Sequence, residues 1–299
     1  MNTIAPIQSR TTFVTRLRQA IETRSPFAAA KIGISEKHWM YYPLFLSERP
    51  SAAKHAVFLA LLRHHGLRVE GVFPHDPEFY LQFNRFFVDN VRQIDCLGLV
   101  LDPLMDRALQ DFYSLDNPVV HYKDLLPEKW AAGSGDACYL DAFAGRTILI
   151  ICPFAQFLKE RATEETFERV WARPNLRWFH PLEVKALDIP FAIAEETWSV
   201  YPTALDLFEA IVDKVARLQF DIALIAAGGL ALPLTAAVKR LGKVGIHLGG
   251  NLQVLFGVAG KRWRRQAEWR DRYLTNAWVD LPARSRPRGA NAFMANTYW

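Results

Sequence analysis

Cysteine is scarce in this sequence, and its pattern argues against two kinds of architecture. The 299 residues contain three cysteines, Cys96, Cys138 and Cys152, and no two of them form a Cys-x-x-Cys pair. An odd and scattered set fits neither a disulfide framework nor a zinc site. It is typical of a protein that works in a reducing compartment. We therefore expect a chain without structural disulfides or zinc.

Long apolar runs and a targeting signal are also missing. Two uncharged stretches, 222–238 and 244–260, fall short of the ~20 residues that a membrane span needs, and paired glycines interrupt both. The first residues lack the charged and then apolar pattern of a secretory signal. The sequence predicts no transmembrane segment and a cytoplasmic location, with peripheral contact at the inner face of the membrane left open.

Positive charge is concentrated in one segment. The chain has a net charge of +5; residues 239–288 hold 12 Lys or Arg against 3 Asp or Glu, which gives +9 there and −4 elsewhere. Such a segment suits phosphates, a nucleic acid or an anionic membrane surface, and it is equally typical of a solvated face. No nucleic-acid-binding signature accompanies it, so we expect no nucleic-acid partner.

Strand–helix alternation is what the sequence has in abundance. It is clearest where two apolar runs flank a helical pattern and each run ends in a glycine pair: 222–227 before Gly228-Gly229, and 244–248 before Gly249-Gly250. This order predicts a right-handed βαβ unit with two parallel strands. Further strands are predicted at 27–32, 94–101, 119–122, 146–152 and 176–179.

Together these elements predict an α/β protein with a doubly wound, mainly parallel, Rossmann-like sheet. We divide the chain into a mixed α/β N-terminal half at 1–135, a Rossmann-like nucleotide-binding half at 136–264, and a C-terminal tail at 265–299 that wraps around the core. Gly133-Ser134-Gly135 marks the first boundary as a joint or short linker.

The glycine pairs lie where open α/β sheets bind ligands, at the carboxyl ends of strands. Small residues let a phosphate approach the backbone, and the N–H groups at a helix start can bind it. Lys261 and Arg262 follow after one short helical stretch. This pattern favours an anionic ligand, although glycine pairs also form simple tight turns. A second polar group follows the strand at 27–32, where an ordinary polar turn is an equal explanation: Lys31, Ser35, Glu36 and His38.

Several stretches resemble a bacterial family of the GT-D glycosyltransferase type. They are TILIICPFAQFLKE at 147–160, FDIALIAAGGLALPLTAAVKRLGK at 220–243, IHLGGNLQVLFGVAGKRW at 246–263, Trp-Val-x-Leu-Pro at 278–282 and the closing Tyr298-Trp299. PFAAAKIGISE at 26–36 is a weaker counterpart of the family's Arg-x-Gly-Asp-Gly-Glu turn. Lys31 replaces its arginine and Ile34-Ser35 replaces Asp-Gly, while Gly33 and Glu36 remain.

The resemblance implies a glycosyltransferase of bacterial surface polysaccharide or glycan biosynthesis. Its donor would be a nucleotide-sugar, with a UDP-sugar as the first candidate, and its acceptor would be a glycan or a lipid-linked molecule. One departure concerns the metal. The family's Asp-x-Glu motif holds a divalent ion, but this chain has Asn251-Leu252-Gln253, and amides are poor ligands for Mg²⁺ or Mn²⁺. We therefore expect no metal ligands and doubt a divalent metal cofactor.

The motifs and the family resemblance together indicate a candidate site. Glu36 is the candidate general base, and Lys261 and Arg262 are the cations that would stabilise a leaving diphosphate. The candidate donor-binding residues are Gly33, Gly228, Gly229, His247, Gly249, Gly250, Asn251 and Gln253. The alternative is a non-catalytic nucleotide- or glycan-binding partner of a polysaccharide assembly system. The sequence leaves the oligomeric state open.

Overall fold

A computed structural model describes residues 8–126 and 138–287. Within these ranges the strands form one seven-stranded sheet, in the order β3-β2-β1-β7-β6-β4-β5, and every neighbouring pair is parallel. The strands are β1 (Phe27–Ile32), β2 (Cys96–Leu99), β3 (Val119–His121), β4 (Thr147–Cys152), β5 (Glu183–Asp188), β6 (Ile222–Ile225) and β7 (Val244–His247). The predicted doubly wound α/β class is confirmed.

Helices cover both faces of this sheet. They are α1 (Arg10–Thr23), α2 (Ile34–Ser47), α3 (Ala52–Leu62), α4 (Pro77–Val91), α5 (Pro103–Tyr113), α6 (Ala155–Arg161), α7 (Glu164–Val170), α8 (Glu195–Trp198), α9 (Ala204–Ala216), α10 (Ala231–Arg240), α11 (Asn251–Leu255), α12 (Lys261–Arg264) and α13 (Ala267–Arg272). A π-helical segment, Arg63–Glu70, continues α3, and short 3-10 turns lie at Tyr122–Leu125, Tyr139–Phe143, Gly228–Leu230 and Ala283–Ser285. No described helix has the length and apolar character to cross a bilayer.

The two-residue period of the strands divides the core between the two faces of the sheet. In β6, Ile222 and Leu224 pack into one apolar cluster, while Ala223 and Ile225 pack into the other. Strands buried on both faces read as continuous apolar runs, which is why β4, β6 and β7 could be predicted. The predicted βαβ unit is present: β6 pairs with β7 in parallel, with Ile225 opposite His247.

The strand predicted at 176–179 is wrong. Leu176 and Phe179 are buried, but they pack as irregular chain beneath the sheet, and His180 then turns with a positive φ of 41°. The sheet position belongs instead to β5, whose side chains are mostly half-exposed. An edge strand of this kind lacks the apolar run that marks a buried one.

Two further predictions need correction. The sequence that follows β4 predicts one helix at 155–171, but the chain forms two, α6 and α7, and Thr163 caps the second by accepting the N–H of Thr166. The polar turn considered after β1 is the first turn of α2, because Gly33 is its N-cap.

The chain after residue 264 packs on the core as far as it is described. Val279 bridges Val258, and Trp269, Tyr273, Trp278 and Leu281 are buried. Tyr298-Trp299 and Gly133-Ser134-Gly135 lie outside the described residues. The division into halves at residue 135 stays a prediction; the sheet is continuous across it, since β1 pairs directly with β7.

Candidate active site

A cavity of about 410 Å³ lies at the carboxyl edge of the sheet. Residues just beyond all seven strands contribute to its lining: Gly33, Val100, Tyr122, Pro153, Ile189, Ala226 and Gly249. Parallel strands end at one edge, so their following loops converge there, and this is where open α/β sheets bind ligands. The volume falls in the usual range for small-molecule sites.

Most of the residues predicted from sequence line this cavity. They are Gly33, Glu36, Gly228, His247, Gly249, Gly250, Asn251, Gln253 and Arg262. Gly229 and Lys261 do not line it. Gly229 packs against Val72 and Glu70, and Lys261 is exposed at the start of α12.

Glu36 lies in the first turn of α2 with 6% of its surface exposed. Its Oε2 accepts the N–H of Gly33 at 3.0 Å, the reciprocal half of a capping arrangement. Burial raises the pKa of the Glu36 carboxyl, and its backbone hydrogen bonds and the positive charge of Lys31 offset part of that rise. The side chain is therefore held in place by its own helix.

A second carboxyl group, Glu70, lines the same cavity and was not predicted. It stands at the end of the π-helical segment that follows α3. Burial and the nearby Glu36 raise the pKa of Glu70 well above its usual value, and Lys31 and a hydrogen bond from Ser35 oppose the shift. Two adjacent carboxyl groups beside one cation form an arrangement suited to general acid–base chemistry.

Ser35 connects Glu70 to a histidine outside the cavity lining. The Ser35 hydroxyl bonds to Glu70, and its Oγ lies 3.2 Å from His65 Nδ1. Burial and the neighbouring His38 and His64 lower the pKa of His65 to about 4, so His65 is neutral at neutral pH. A neutral imidazole with hydrogen on Nδ1 donates to Ser35, which leaves the serine proton for Glu70. Ser35 therefore lies between His65 and the Glu70 carboxyl group.

His247 and Lys31 meet across the pair β1–β7. The backbone N–H of Lys31 donates to His247 Nδ1 at 3.5 Å, which places the imidazole hydrogen on Nε2. Burial, followed by the charge of Lys31, lowers the pKa of His247 well below its usual value. His247 is 3% exposed and lines the cavity as a neutral hydrogen-bond donor.

The two glycine pairs have different structural roles. At Gly249, with φ at +57°, a Cβ would lie 2.7 Å from Lys31 Nζ, so the absence of a side chain leaves room for the lysine head. At Gly228, with φ at +54°, a Cβ would lie 2.6 Å from the backbone oxygen of Glu70. The Gly228 pair therefore lets the β6 loop pack tightly against the segment that carries Glu70.

Gly228→Ala is expected to destabilise the protein by about 2–6 kcal/mol, because a left-handed backbone and an overpacked contact each cost about 1–3 kcal/mol. Gly242→Ala is the matched control: its φ is +77°, but a Cβ there meets nothing within 4 Å. Urea unfolding of both variants separates the contact from the backbone effect. Equal losses of stability would show that the Glu70 backbone does not restrict this position.

Two amides follow the second glycine pair on α11. Gln253 is 1% exposed and donates from Nε2 to the carbonyl of Val258 at 3.2 Å. Its Oε1 has no hydrogen-bond partner among the described residues, although it is buried. A buried acceptor without a partner costs free energy unless a ligand or water satisfies it. Gln253 thus stabilises its own loop through Nε2, and its Oε1 is a hydrogen-bond acceptor at the cavity wall.

The opposite wall is apolar, and it was not predicted from the sequence. A Pro-Phe dipeptide follows both β4 and β5, Pro153-Phe154 and Pro190-Phe191, and the two rings lie 6.2 Å apart between centroids. The repetition of Pro-Phe after two strands was a readable signal, but the unrecognised β5 hid it. Arg262 lines the cavity from α12, with its guanidinium 5.8 Å from the centroid of the Trp263 ring.

The arrangement can bind an anion beside a planar or apolar group and move a proton. Within residues 8–126 and 138–287, no group of three or more His, Cys, Asp or Glu side chains could hold a metal ion.

Comparisons with known proteins add one distant likeness. No family model matches the chain, and no curated protein matches it. A selenomethionine-substituted structure of domain of unknown function 1792 (DUF1792) is similar over 81% of this chain and 83% of that chain, with 12% sequence identity and a TM-score of 0.39. A match this distant carries no information about substrate or chemistry.

Proposed function

We propose that this protein is a GT-D-like glycosyltransferase that takes a sugar from a nucleotide-sugar, with a UDP-sugar as the first candidate donor. The observation that carries the proposal is the two-sided cavity at the carboxyl edge of the sheet. One wall presents cations, carboxyl groups and amides, and the other presents proline and aromatic rings. The motifs that resemble the GT-D family supply much of this lining. The proposed setting is surface polysaccharide or glycan biosynthesis, with a glycan or lipid-linked acceptor.

Each wall has a part in binding the donor. Lys31 and Arg262 supply positive charge for the diphosphate, and the rings of Phe154 and Phe191 supply an apolar surface for a base or a sugar face. The neutral His247 and the Oε1 of Gln253 offer a donor and an acceptor for hydroxyl groups. Polar groups placed within an apolar pocket are what fixes the orientation of a ligand.

The transfer step needs a base and a stabiliser of the leaving group. In this proposal Glu70 takes the proton of the acceptor hydroxyl while the acceptor oxygen bonds to the anomeric carbon. The bond from that carbon to the diphosphate oxygen breaks, and its electron pair stays on the diphosphate. Lys31 and Arg262 stabilise that charge in the place of a metal ion. Glu36, the base proposed from sequence alone, serves as the neighbour that tunes the pKa of Glu70.

The pH dependence of transfer follows from the two carboxyl groups. Glu70 must be ionised to act as a base, so kcat/KM should fall as pH drops through its raised pKa. Glu36→Gln keeps an acceptor for the Gly33 N–H and removes a negative charge, which lowers the pKa of Glu70. We expect the acid limb of the profile to move to lower pH. An unchanged or higher midpoint would show that Glu70 does not control it.

Arg262→Ala should weaken nucleotide diphosphate binding by about 1.5–3 kcal/mol, the value of a hydrogen bond to a charged group. That is about a tenfold to a hundredfold rise in Kd by calorimetry. Arg265→Ala is the matched control, because Arg265 is exposed just after α12 and does not line the cavity. Equal effects of the two variants would indicate binding to a diffuse basic surface.

The function itself is tested by thermal shift with UDP-, GDP- and CMP-sugars, with Mn²⁺ or with EDTA, followed by a transfer assay. We expect stabilisation by one donor class that chelation leaves unchanged. A tenfold or greater loss of affinity with EDTA, about 1.4 kcal/mol, would reveal metal ligands that this account lacks. Binding without transfer would favour the alternative, a non-catalytic nucleotide-binding protein, to which the amides Asn251 and Gln253 in place of carboxylates already point.

A further inference from the structure

The carboxyl edge of the sheet carries exposed apolar side chains beside the cavity. Ile34 lines the cavity and is 56% exposed. Leu101 is 46% exposed and follows Val100, another lining residue, while Leu104 in the first turn of α5 is 87% exposed. Moving exposed apolar side chains out of water is favourable, so three of them at the carboxyl edge of the sheet indicate a contact surface.

Cations lie beside the same opening. Arg262 lines the cavity, and Lys261 and Arg265 are exposed next to it along the chain. None of the three forms an ion pair with a carboxylate in the described part of the chain, in contrast to Arg264, which pairs with Asp280 at 2.8 Å. Their charge is therefore available to an anionic surface.

We propose that these six residues form a rim surface that binds an anionic lipid bilayer and places the cavity opening against it. The rim surface consists of Ile34, Leu101, Leu104, Lys261, Arg262 and Arg265. Apolar side chains that enter the headgroup region, combined with cations that face anionic lipids, are what interfacial membrane proteins use. The charge selects a negatively charged bilayer over a neutral one.

Acidic side chains restrict the orientation. Glu195 and Glu196 are exposed at the start of α8, beyond the apolar wall, and an anionic surface repels them. Asp102 lies between the two leucines, but its Oδ1 accepts the N–H of Met105 as the N-cap of α5. The bilayer therefore contacts the β1–β2 and α12 sides of the opening, and the α8 side tilts away.

Vesicle co-sedimentation tests the proposal without any assay of activity. The full chain is incubated with phosphatidylcholine vesicles and with vesicles that also contain phosphatidylglycerol. We expect binding to the anionic vesicles only. The double variant Leu101→Ser/Leu104→Ser should lower the partition coefficient at least tenfold, and Arg265→Ala should lower it about fivefold, the equivalent of ~1 kcal/mol per cation.

Matched controls come from the opposite edge of the sheet. Leu182 is 74% exposed immediately before β5, and Arg217 is exposed after α9, where the chain approaches the start of β6. Leu182→Ser and Arg217→Ala should bind vesicles as the unchanged protein does, and circular dichroism should show all variants folded. Absence of binding, equal binding to neutral vesicles, or equal losses in the controls would overturn the proposal. The proposal would also be overturned if the variants at the rim surface changed only the self-association of the protein, because this surface would then be a contact between copies of the chain.

Discussion

Glu70→Gln is expected to lower the rate of sugar transfer by about 10²- to 10⁴-fold, the usual contribution of a positioned general base. The amide keeps the volume of the carboxyl group and an acceptor for the Ser35 hydroxyl, but it cannot take a proton at neutral pH. Donor binding should change little, because the diphosphate is assigned to Lys31 and Arg262. Steady-state kinetics and calorimetry on one preparation measure both quantities.

The comparison variant is Glu36→Gln. Because Glu36 accepts the N–H of its own N-cap residue and tunes its neighbour, its replacement should shift the pH profile and retain most of the rate at its optimum. If Glu36→Gln abolished transfer while Glu70→Gln retained more than a tenth of it, the roles of the two carboxyl groups would be reversed. If neither variant affected the rate, the base would lie elsewhere.

Asp106→Ala is expected to destabilise the protein by about 3–5 kcal/mol, since it leaves a buried charge without its partner. Asp106 forms an ion pair with Lys37, and their side chains are 4% and 1% exposed. Lys37 Nζ also donates to the carbonyl of Val100, and Asp106 Oδ2 accepts the N–H of Asp102. The pair therefore ties α2 and α5 to the end of β2, directly beside the cavity.

Denaturant unfolding measures this effect, with two comparisons. Asp89→Ala breaks an ion pair with Arg92 whose side chains are 72% and 48% exposed, and it should cost less than 1 kcal/mol. The double variant Lys37→Met/Asp106→Leu removes both charges and should recover most of the stability. A loss below 1 kcal/mol for Asp106→Ala would mean that water reaches the lysine when its partner is gone.

The buried strands could be predicted from sequence because a strand that is buried on both faces has an uninterrupted run of apolar residues. β5 could not be predicted, since its side chains are mostly half-exposed, whereas Phe179 is buried but lies in no strand. The glycine pairs and Arg262 were readable because they follow strands whose ends share one edge. The closeness of Glu70 to Glu36 was not, since it depends on how the segment after α3 packs against the loop at Gly228. The spacing of residues along the sequence does not predict that contact.

A crystal structure of the protein with bound UDP tests the central claim most directly. We expect the nucleotide in the cavity at the carboxyl edge, with its diphosphate oxygens within hydrogen-bond distance of Arg262 and Lys31 and with no metal ion between them. A nucleotide bound outside this cavity, or a diphosphate held by a divalent ion with both cations turned away, would contradict the account.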